Sequence, residues 1–411
     1  MIQVSTMPPV FFYGARRQRD AQPGAEEVSM IYLDNGATSF PKPRQVTDAV
    51  AEVMTQYCAN PGRSSHFMAA RTAQEIYKTR AALALLLGLE DAGRVVFTKN
   101  GTEALNLALK GVLEPGDHVI TSSMEHNAVL RPLKELEQKG VEVTMLPCDA
   151  EGRLDPAKVR QALRPKTRMI VLTAASNVTG TIFPLEEVGK IALRRGILFC
   201  VDGAQGAGHM VLDAKQQHID LLAVPGHKGL LGPQGTGFLY VRPGLSLRPL
   251  MTGGTGSHSA QLEPPLDFPD GYEAGTVNAP GIIGLGAAAR LLNKIGVEAV
   301  CSHERKLTQL LQRGLQGIPG VALYGPSDCR EKTAVVAWNM EGHASEETAL
   351  LLNDRFGIAV RAGLHCSGEA HRTIGTQKTG CVRMCPGLYT SEAEIRQTVD
   401  AVRELAAQCR S

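Results

Sequence analysis

A chain of 411 residues with 43% hydrophobic and 20% charged positions has material for more than one core and lacks the composition of a disordered segment. Its formal net charge of +2, with Lys and Arg scattered, leaves no electrostatic footprint for nucleic acid or an anionic membrane surface, so neither is expected as a partner. Nine cysteines, an odd number spread from Cys58 to Cys409, lack the spacing of a disulfide scaffold and point to a reducing, cytoplasmic setting.

Residues 1–29 read as a disordered extension. Arg16, Arg17 and Arg19 follow Phe11 and Phe12, the reverse of a secretory signal, and Met30 stands directly before the strand-like Ile31-Tyr32-Leu33. Helical spacing predicts helices over 44–57 and 69–87. From Arg94 onward, β-branched runs at 95–98, 118–121, 141–146, 169–173, 197–201, 221–224 and 237–241 alternate with helical stretches at 102–112, 128–138, 156–163 and 185–194. That alternation predicts an α/β fold with a mainly parallel, seven-stranded sheet. Apolar runs such as 81–89 fall well short of the roughly 18 residues that cross a bilayer. A Gly-, Pro- and Ser-rich stretch at 243–280 reads as a long functional loop or linker. Beyond it, helices at 281–292, 300–315, 346–356 and 391–409 and strands near 321–323, 335–339 and 358–361 predict a smaller α/β C-terminal domain. The expected division is a large domain over 30–285, whose first residues to about 44 pack on the small domain, and a small domain over 286–411.

Several segments carry chemistry. In Thr98-Lys99-Asn100-Gly101-Thr102-Glu103 a strand ends in a glycine turn that opens a helix. Its unpaired N–H groups, its dipole and the Thr102 hydroxyl suit a phosphate, and the same residue types also make an ordinary capped turn. The apolar run 197–201 ends in Asp202, a carboxylate placed to pair with a protonated pyridine nitrogen. In Pro225-Gly226-His227-Lys228-Gly229, a lysine held in a glycine-flanked turn near an apolar sheet can form an imine with an aldehyde; alone, such a turn is more often a surface loop. Met124-Glu125-His126-Asn127 can lay an imidazole over a ring, and Ala175-Ser176-Asn177-Val178-Thr179-Gly180 can bring an amide to a ring oxygen.

These segments, with Tyr32-Leu33-Asp34-Asn35-Gly36-Ala37-Thr38 and Glu273-Ala274-Gly275-Thr276, resemble the class V aminotransferases, pyridoxal-phosphate-dependent transferases of fold-type I. Within them they resemble the cysteine desulfurases, over nearly the whole chain from about residue 30. The resemblance implies pyridoxal 5'-phosphate as cofactor and Lys228 as the lysine that joins its aldehyde. It assigns Asp202 to the pyridine nitrogen, His126 to stacking, and Asn177 and Gln205 to the ring oxygen. Gly101, Thr102 and His227 would hold the phosphate. Thr276 would reach the phosphate of a neighbouring subunit, which implies a homodimer. Many relatives place Ser or Thr where this chain has Pro225, and proline supplies no donor.

The reaction is chosen by Gly357-Ile358-Ala359-Val360-Arg361-Ala362-Gly363-Leu364-His365-Cys366. A strand ending in glycine and His-Cys places a thiol on a loop where Arg361 and His365 can lower its pKa toward the thiolate. Arg383 suits a bidentate grip on an amino-acid carboxylate. The segment looks like the desulfurase branch with a short catalytic-cysteine loop. That implies conversion of L-cysteine to L-alanine with sulfur passing to Cys366 as a persulfide, and with His126 relaying a proton. Arg383, Arg361, Asn35 and His66 would bind the substrate. A protein or thiol would then accept the sulfur, as in iron–sulfur cluster assembly. Cys381 and Cys385, with His365, Cys366 and His371, also suggest zinc, but Arg383 between the two cysteines leaves a cation beside the ion, so no metal is expected. Selenocysteine lyase, another class V aminotransferase or kynureninase-like activity, and a non-catalytic sulfur or metal carrier are the competing readings.

Overall fold

The computed structural model describes residues 30–61, 66–257 and 260–408; the expected N-terminal extension lies outside them. The chain opens with a two-residue strand, β1 (Ile31–Tyr32), and two helices, α1 (Arg44–Gln56) and α2 (Phe67–Leu87). Strands and helices then alternate: β2 (Val95–Thr98), α3 (Gly101–Val112), β3 (His118–Ser122), α4 (Asn127–Gln138), β4 (Glu142–Leu146), α5 (Pro156–Ala162), β5 (Thr167–Thr173), α6 (Leu185–Arg195), β6 (Leu198–Asp202), β7 (Leu221–Pro225) and β8 (Gly237–Val241). Capping fixes several helix starts: the Asn100 side chain accepts from the Glu103 amide at 2.9 Å and that of Asp155 from Ala157 at 2.8 Å. Gly196, at a φ of +64°, closes α6 in the left-handed conformation that glycine adopts without a Cβ clash.

The seven strands form one sheet in the order β2-β8-β7-β6-β5-β3-β4. All neighbours are parallel except β8, which runs antiparallel to both β2 and β7. The expected mainly parallel sheet is therefore present. Alternate strand residues enter different cores, which explains the near-continuous apolar runs. Met169 and Val171 join Val96, Leu105, Leu109 and Leu133 under α3 and α4. Ile170 and Leu172 join Phe199, Phe238, Ile282 and Leu285 on the other face. The layering aligns chemistry along one edge: Gly237 is the register partner of both Thr98 and Pro225, and Thr173 is the partner of Asp202.

The 243–280 stretch holds a short 3₁₀ turn at Asp270–Tyr272 among its described residues and runs at its end into α7 (Ala279–Ile295), after which come α8 (Val297–Gln316), β9 (Val321–Tyr324), β10 (Val336–Met340), α9 (Ser345–Phe356), β11 (Ile358–Ala359), β12 (Arg361–Gly363), α10 (Gly368–Thr373), β13 (Cys381–Met384) and α11 (Glu392–Gln408). An antiparallel sheet of order β12-β13-β10-β9 carries a third core around Trp338, Leu311 and Val402. Ile31 and Leu33 belong to that core, because β1 pairs in parallel with β11.

Two expectations change. The single strand expected over 358–361 is two strands in two sheets, since Ile358 and Ala359 pair with β1 whereas Arg361 to Gly363 pair with β13. The loop expected beyond it contains α10 and β13. The expected division between residues 285 and 286 lies along the helix α7, which Gly296 separates from α8. Among the described residues, no helix is long and apolar enough to cross a membrane.

Candidate active site

The carboxyl ends of parallel strands collect polar groups because crossovers leave the sheet there. Asp202 ends β6 and is 3% exposed, with Oδ1 accepting from the Ala204 amide at 2.9 Å. Burial raises its pKa, opposed by that hydrogen bond and by the Lys228 charge. Lys228 follows β7 in a half-buried turn, and burial lowers its pKa to about 8. Asp202 opposes that shift, while Arg383 and Arg361 add to it. The charges of this carboxylate and this amine act on each other, each opposing the effect of burial on the other.

His126 is the N-cap of α4, where its Nδ1 accepts from the Ala128 amide at 3.0 Å. Its ring proton therefore sits on Nε2. Burial, then the charges of Lys228 and Arg361, lower its pKa to about 4, so the ring is neutral at pH 7. The Asn177 amide donates to the His365 carbonyl at 2.7 Å and accepts from Ser367 Oγ at 2.7 Å, and Gln205 Nε2 donates to the Gly36 carbonyl at 2.8 Å. Each amide keeps one N–H for a further acceptor. Gly101 opens α3 beside the Pro225 ring; a Cβ there would lie 3.1 Å from Pro225 Cδ. His227 has a buried, unpartnered Nδ1, while its carbonyl accepts from Lys42 Nζ at 2.9 Å. Thr102 and Thr276 are exposed.

Above this edge lies the cysteine loop. His365 and Cys366 have φ of +48° and +59°, a left-handed pair that L side chains seldom adopt. The conformation is held from both sides: the Asn127 amide donates to the Cys366 carbonyl at 2.9 Å, and Asn177 takes the His365 carbonyl. Cys366 is exposed, with Arg361 Nη2 at 4.0 Å from its sulfur. His365 does not act on that thiol. Its ring turns inward, Nε2 lying 3.0 Å from the Cys381 carbonyl oxygen, and burial with the Arg383 charge pushes its pKa down to about 2.

Arg361 and Arg383 are register partners across β12 and β13, so two guanidinium stems stand on one face. Like charges directly opposite are unfavourable unless an anion lies between them. Asp34 takes Arg383 Nη2 at 3.0 Å, and Arg383 Nη1 donates to the Asn177 carbonyl at 2.9 Å. Arg383 Nε remains buried and unpartnered, and no acidic residue pairs with Arg361 among the described residues. Gly36 permits the close approach, for a Cβ there would meet Cys385 Sγ at 2.7 Å. Asn35 and His66 are the other residues expected to bind the substrate. The Asn35 amide donates to the Cys385 and Tyr32 carbonyls and accepts from the Phe40 amide, which holds the turn. His66 caps α2 from an exposed position.

Sequence reasoning gave no role to Asp34, Lys42, Ser367 or Glu125. Glu125 is the most consequential, and its signal was a carboxylate beside His126 at the end of an apolar run. It is fully buried, with Oε1 accepting from Ser122 Oγ at 2.5 Å and the Thr173 amide at 3.1 Å, while Oε2 has no partner. Burial raises its pKa to about 8, Asp202 adding and the two hydrogen bonds opposing. The folded chain therefore keeps a proton that the unfolded chain releases above about pH 4.3, and stability falls as pH rises between there and about 8. Glu125→Gln should flatten that fall in thermal denaturation followed across the window. An unchanged slope would show that Glu125 is ionised in the fold.

Comparison with known proteins places this geometry. The model of the family "Aminotransferase class-V" matches residues 31–398. A probable cysteine desulfurase of Methanothermobacter thermautotrophicus is 34% identical over 92% of this chain and 94% of its own length. One of Pseudomonas putida is 36% identical over 90% and 92%. Among solved structures, the apo cysteine desulfurase of Thermococcus onnurineus superposes with a TM-score of 0.86 at 33% identity, covering 92% of this chain and 95% of that one.

Proposed function

This chain belongs to the class-V aminotransferase family, and on that premise we propose that it is a cysteine desulfurase that converts L-cysteine to L-alanine and takes the sulfur on Cys366. The observation that carries the reading is the placement of an exposed thiol, Cys366, on a loop tied by Asn127 and Asn177 to the sheet edge that holds Asp202 and Lys228. A plain transaminase has no use for that thiol.

The residues fit pyridoxal 5'-phosphate. Asp202 is a buried carboxylate suited to a pyridinium, Lys228 a desolvated amine, and the α3 N-terminus with the unpartnered His227 nitrogen suits a phosphate. Gln205 and Asn177 have N–H groups left for the ring oxygen, and neutral His126 suits stacking on the ring. When bound, the cofactor supplies an electrophilic aldehyde for the substrate amine and a ring that stores the electrons released at Cα.

The protein does the rest. Arg383 and Arg361 take the substrate carboxylate between them, which relieves their mutual repulsion. Lys228, as the neutral amine, removes the Cα proton. The Cys366 thiolate attacks the substrate sulfur: an S–S bond forms as the C–S bond breaks, the bonding pair stays with the carbon fragment, and protonation of that fragment gives alanine. His126, whose Nδ1 is taken by the Ala128 amide, keeps an Nε2–H as a proton donor for this stage. Cys366 keeps the sulfur as a persulfide until a thiol or protein acceptor removes it, as iron–sulfur cluster assembly requires. The exposed Thr276 reaches the phosphate of a second subunit in a homodimer, and the enzyme works in the cytoplasm. Incubation of the purified protein with pyridoxal phosphate, L-cysteine and a dithiol should yield alanine and sulfide in equal amounts; production of neither would overturn the reading.

A further inference from the structure

Beneath the Cys366 loop, two buried imidazoles and a buried thiol meet. One ligand atom each from His365, His371 and Cys381 lies within 4.8 Å of the other two. His365 is 4% exposed, and the other two are fully buried. Each imidazole uses one ring nitrogen. His365 Nε2 lies 3.0 Å from the Cys381 carbonyl oxygen and 3.5 Å from its sulfur, and His371 Nδ1 lies 2.7 Å from Thr376 Oγ1. The remaining nitrogens, His365 Nδ1 and His371 Nε2, are buried and have no partner.

A buried polar atom without a partner is unfavourable, and two of them on rings that crowd a buried thiol call for an occupant. His371 has the arrangement in which metal-ligating histidines are held, an outer hydrogen bond to Thr376 with the other nitrogen bare, whereas His365 reaches Cys381 through Nε2 and would ligate through that atom in place of its contact with the carbonyl. Cys385, the other cysteine of the same segment, lies elsewhere, against Gly36.

Charge selects the ion. Arg383 shares β13 with Cys381, and its charge bears on both Cys381 and His365. A divalent ion bound by one thiolate and two neutral imidazoles would leave a positive charge beside that buried guanidinium. A monovalent ion leaves none. We propose that His365, His371 and Cys381 form a three-coordinate site for Cu(I), the soft ion that thiolate and imidazole ligands favour. Binding replaces the Cys381 proton with the metal and releases one proton per ion. Because His365 adjoins Cys366 in the left-handed segment, the ion also fixes the backbone that presents the catalytic thiol.

The test is anaerobic titration of the full chain, with pyridoxal phosphate bound, using Cu(I) in competition with a chromogenic Cu(I) chelator. Cys58 and Cys366, the exposed thiols among the described residues, are replaced by serine, as is Cys409. The chain should withdraw one equivalent of Cu(I) and develop a thiolate-to-copper absorption band. Cys381→Ser should abolish both. Thr376→Val, which removes the bond that orients His371, should weaken binding by about 10- to 100-fold. Circular dichroism of each variant verifies the fold, and His371→Gln serves in place of Cys381→Ser if that chain does not fold. No withdrawal by the parent chain, or equal withdrawal by a folded Cys381→Ser or His371→Gln chain, would overturn the site.

Discussion

Cys366→Ala should abolish sulfur release from L-cysteine, by at least about a thousandfold as for loss of other catalytic nucleophiles, while leaving cofactor and substrate binding intact. The separation follows from where the groups sit. Lys228 and Asp202 lie on the sheet edge, and Arg383 lies on β13 with its own partners Asp34 and Asn177, so none of them depends on the Cys366 side chain. The loop conformation is held through the carbonyls of His365 and Cys366 and through Ser367, so an alanine keeps its place. Proton removal at Cα should continue and can be followed by exchange of the Cα hydrogen with deuterated water. Sulfide production at the parent rate would show that another group accepts the sulfur. Loss with L-cysteine but retention with L-selenocysteine would favour the lyase reading, since selenium leaves more readily.

Lys228→Ala should remove both turnover and the visible absorbance of the bound cofactor, because among the described residues Lys228 is the lysine whose charge acts on Asp202. Its pH behaviour is specific. A free lysine amine is reactive only near its ordinary pKa of about 10.4, whereas burial holds Lys228 at about 8. The rate at which cofactor-free protein captures pyridoxal phosphate should therefore climb with pH and level off above about 8. A rate still climbing toward the value for free lysine, or turnover surviving in Lys228→Ala, would move the assignment to another residue.

Much of the large sheet is legible in the sequence because its strands are buried on both faces and read as unbroken apolar runs; 95–98 and 237–241 match β2 and β8 to the residue. The order β2-β8-β7 and the reversed direction of β8 are not legible, since both depend on pairing between residues such as Phe97 and Phe238 that lie far apart in the chain. The six residues of α10 are too few to show a helical period. β13 is hidden for a different reason: Arg383 at its centre is a charged residue with 1% exposure, and its burial makes sense only once Asp34 and Asn177 are seen beside it. The residue types of the site, Asp202, Lys228, His126 and Cys366, stand out because chemistry dictates them. The contacts that hold the site in place, such as Asn127 and Asn177 on the cysteine loop, are invisible without the fold. The same is true of His365, whose neighbour in sequence is the catalytic thiol but whose ring serves the interior.

The most direct measurement is a single turnover without reductant: enzyme with bound cofactor is mixed with less than one equivalent of L-cysteine, alanine is counted, and the peptide that carries Cys366 is weighed. The account predicts one alanine per added cysteine and the mass of one extra sulfur atom on Cys366. Alanine formed with no sulfur on that peptide, or with the sulfur on another cysteine, would contradict it.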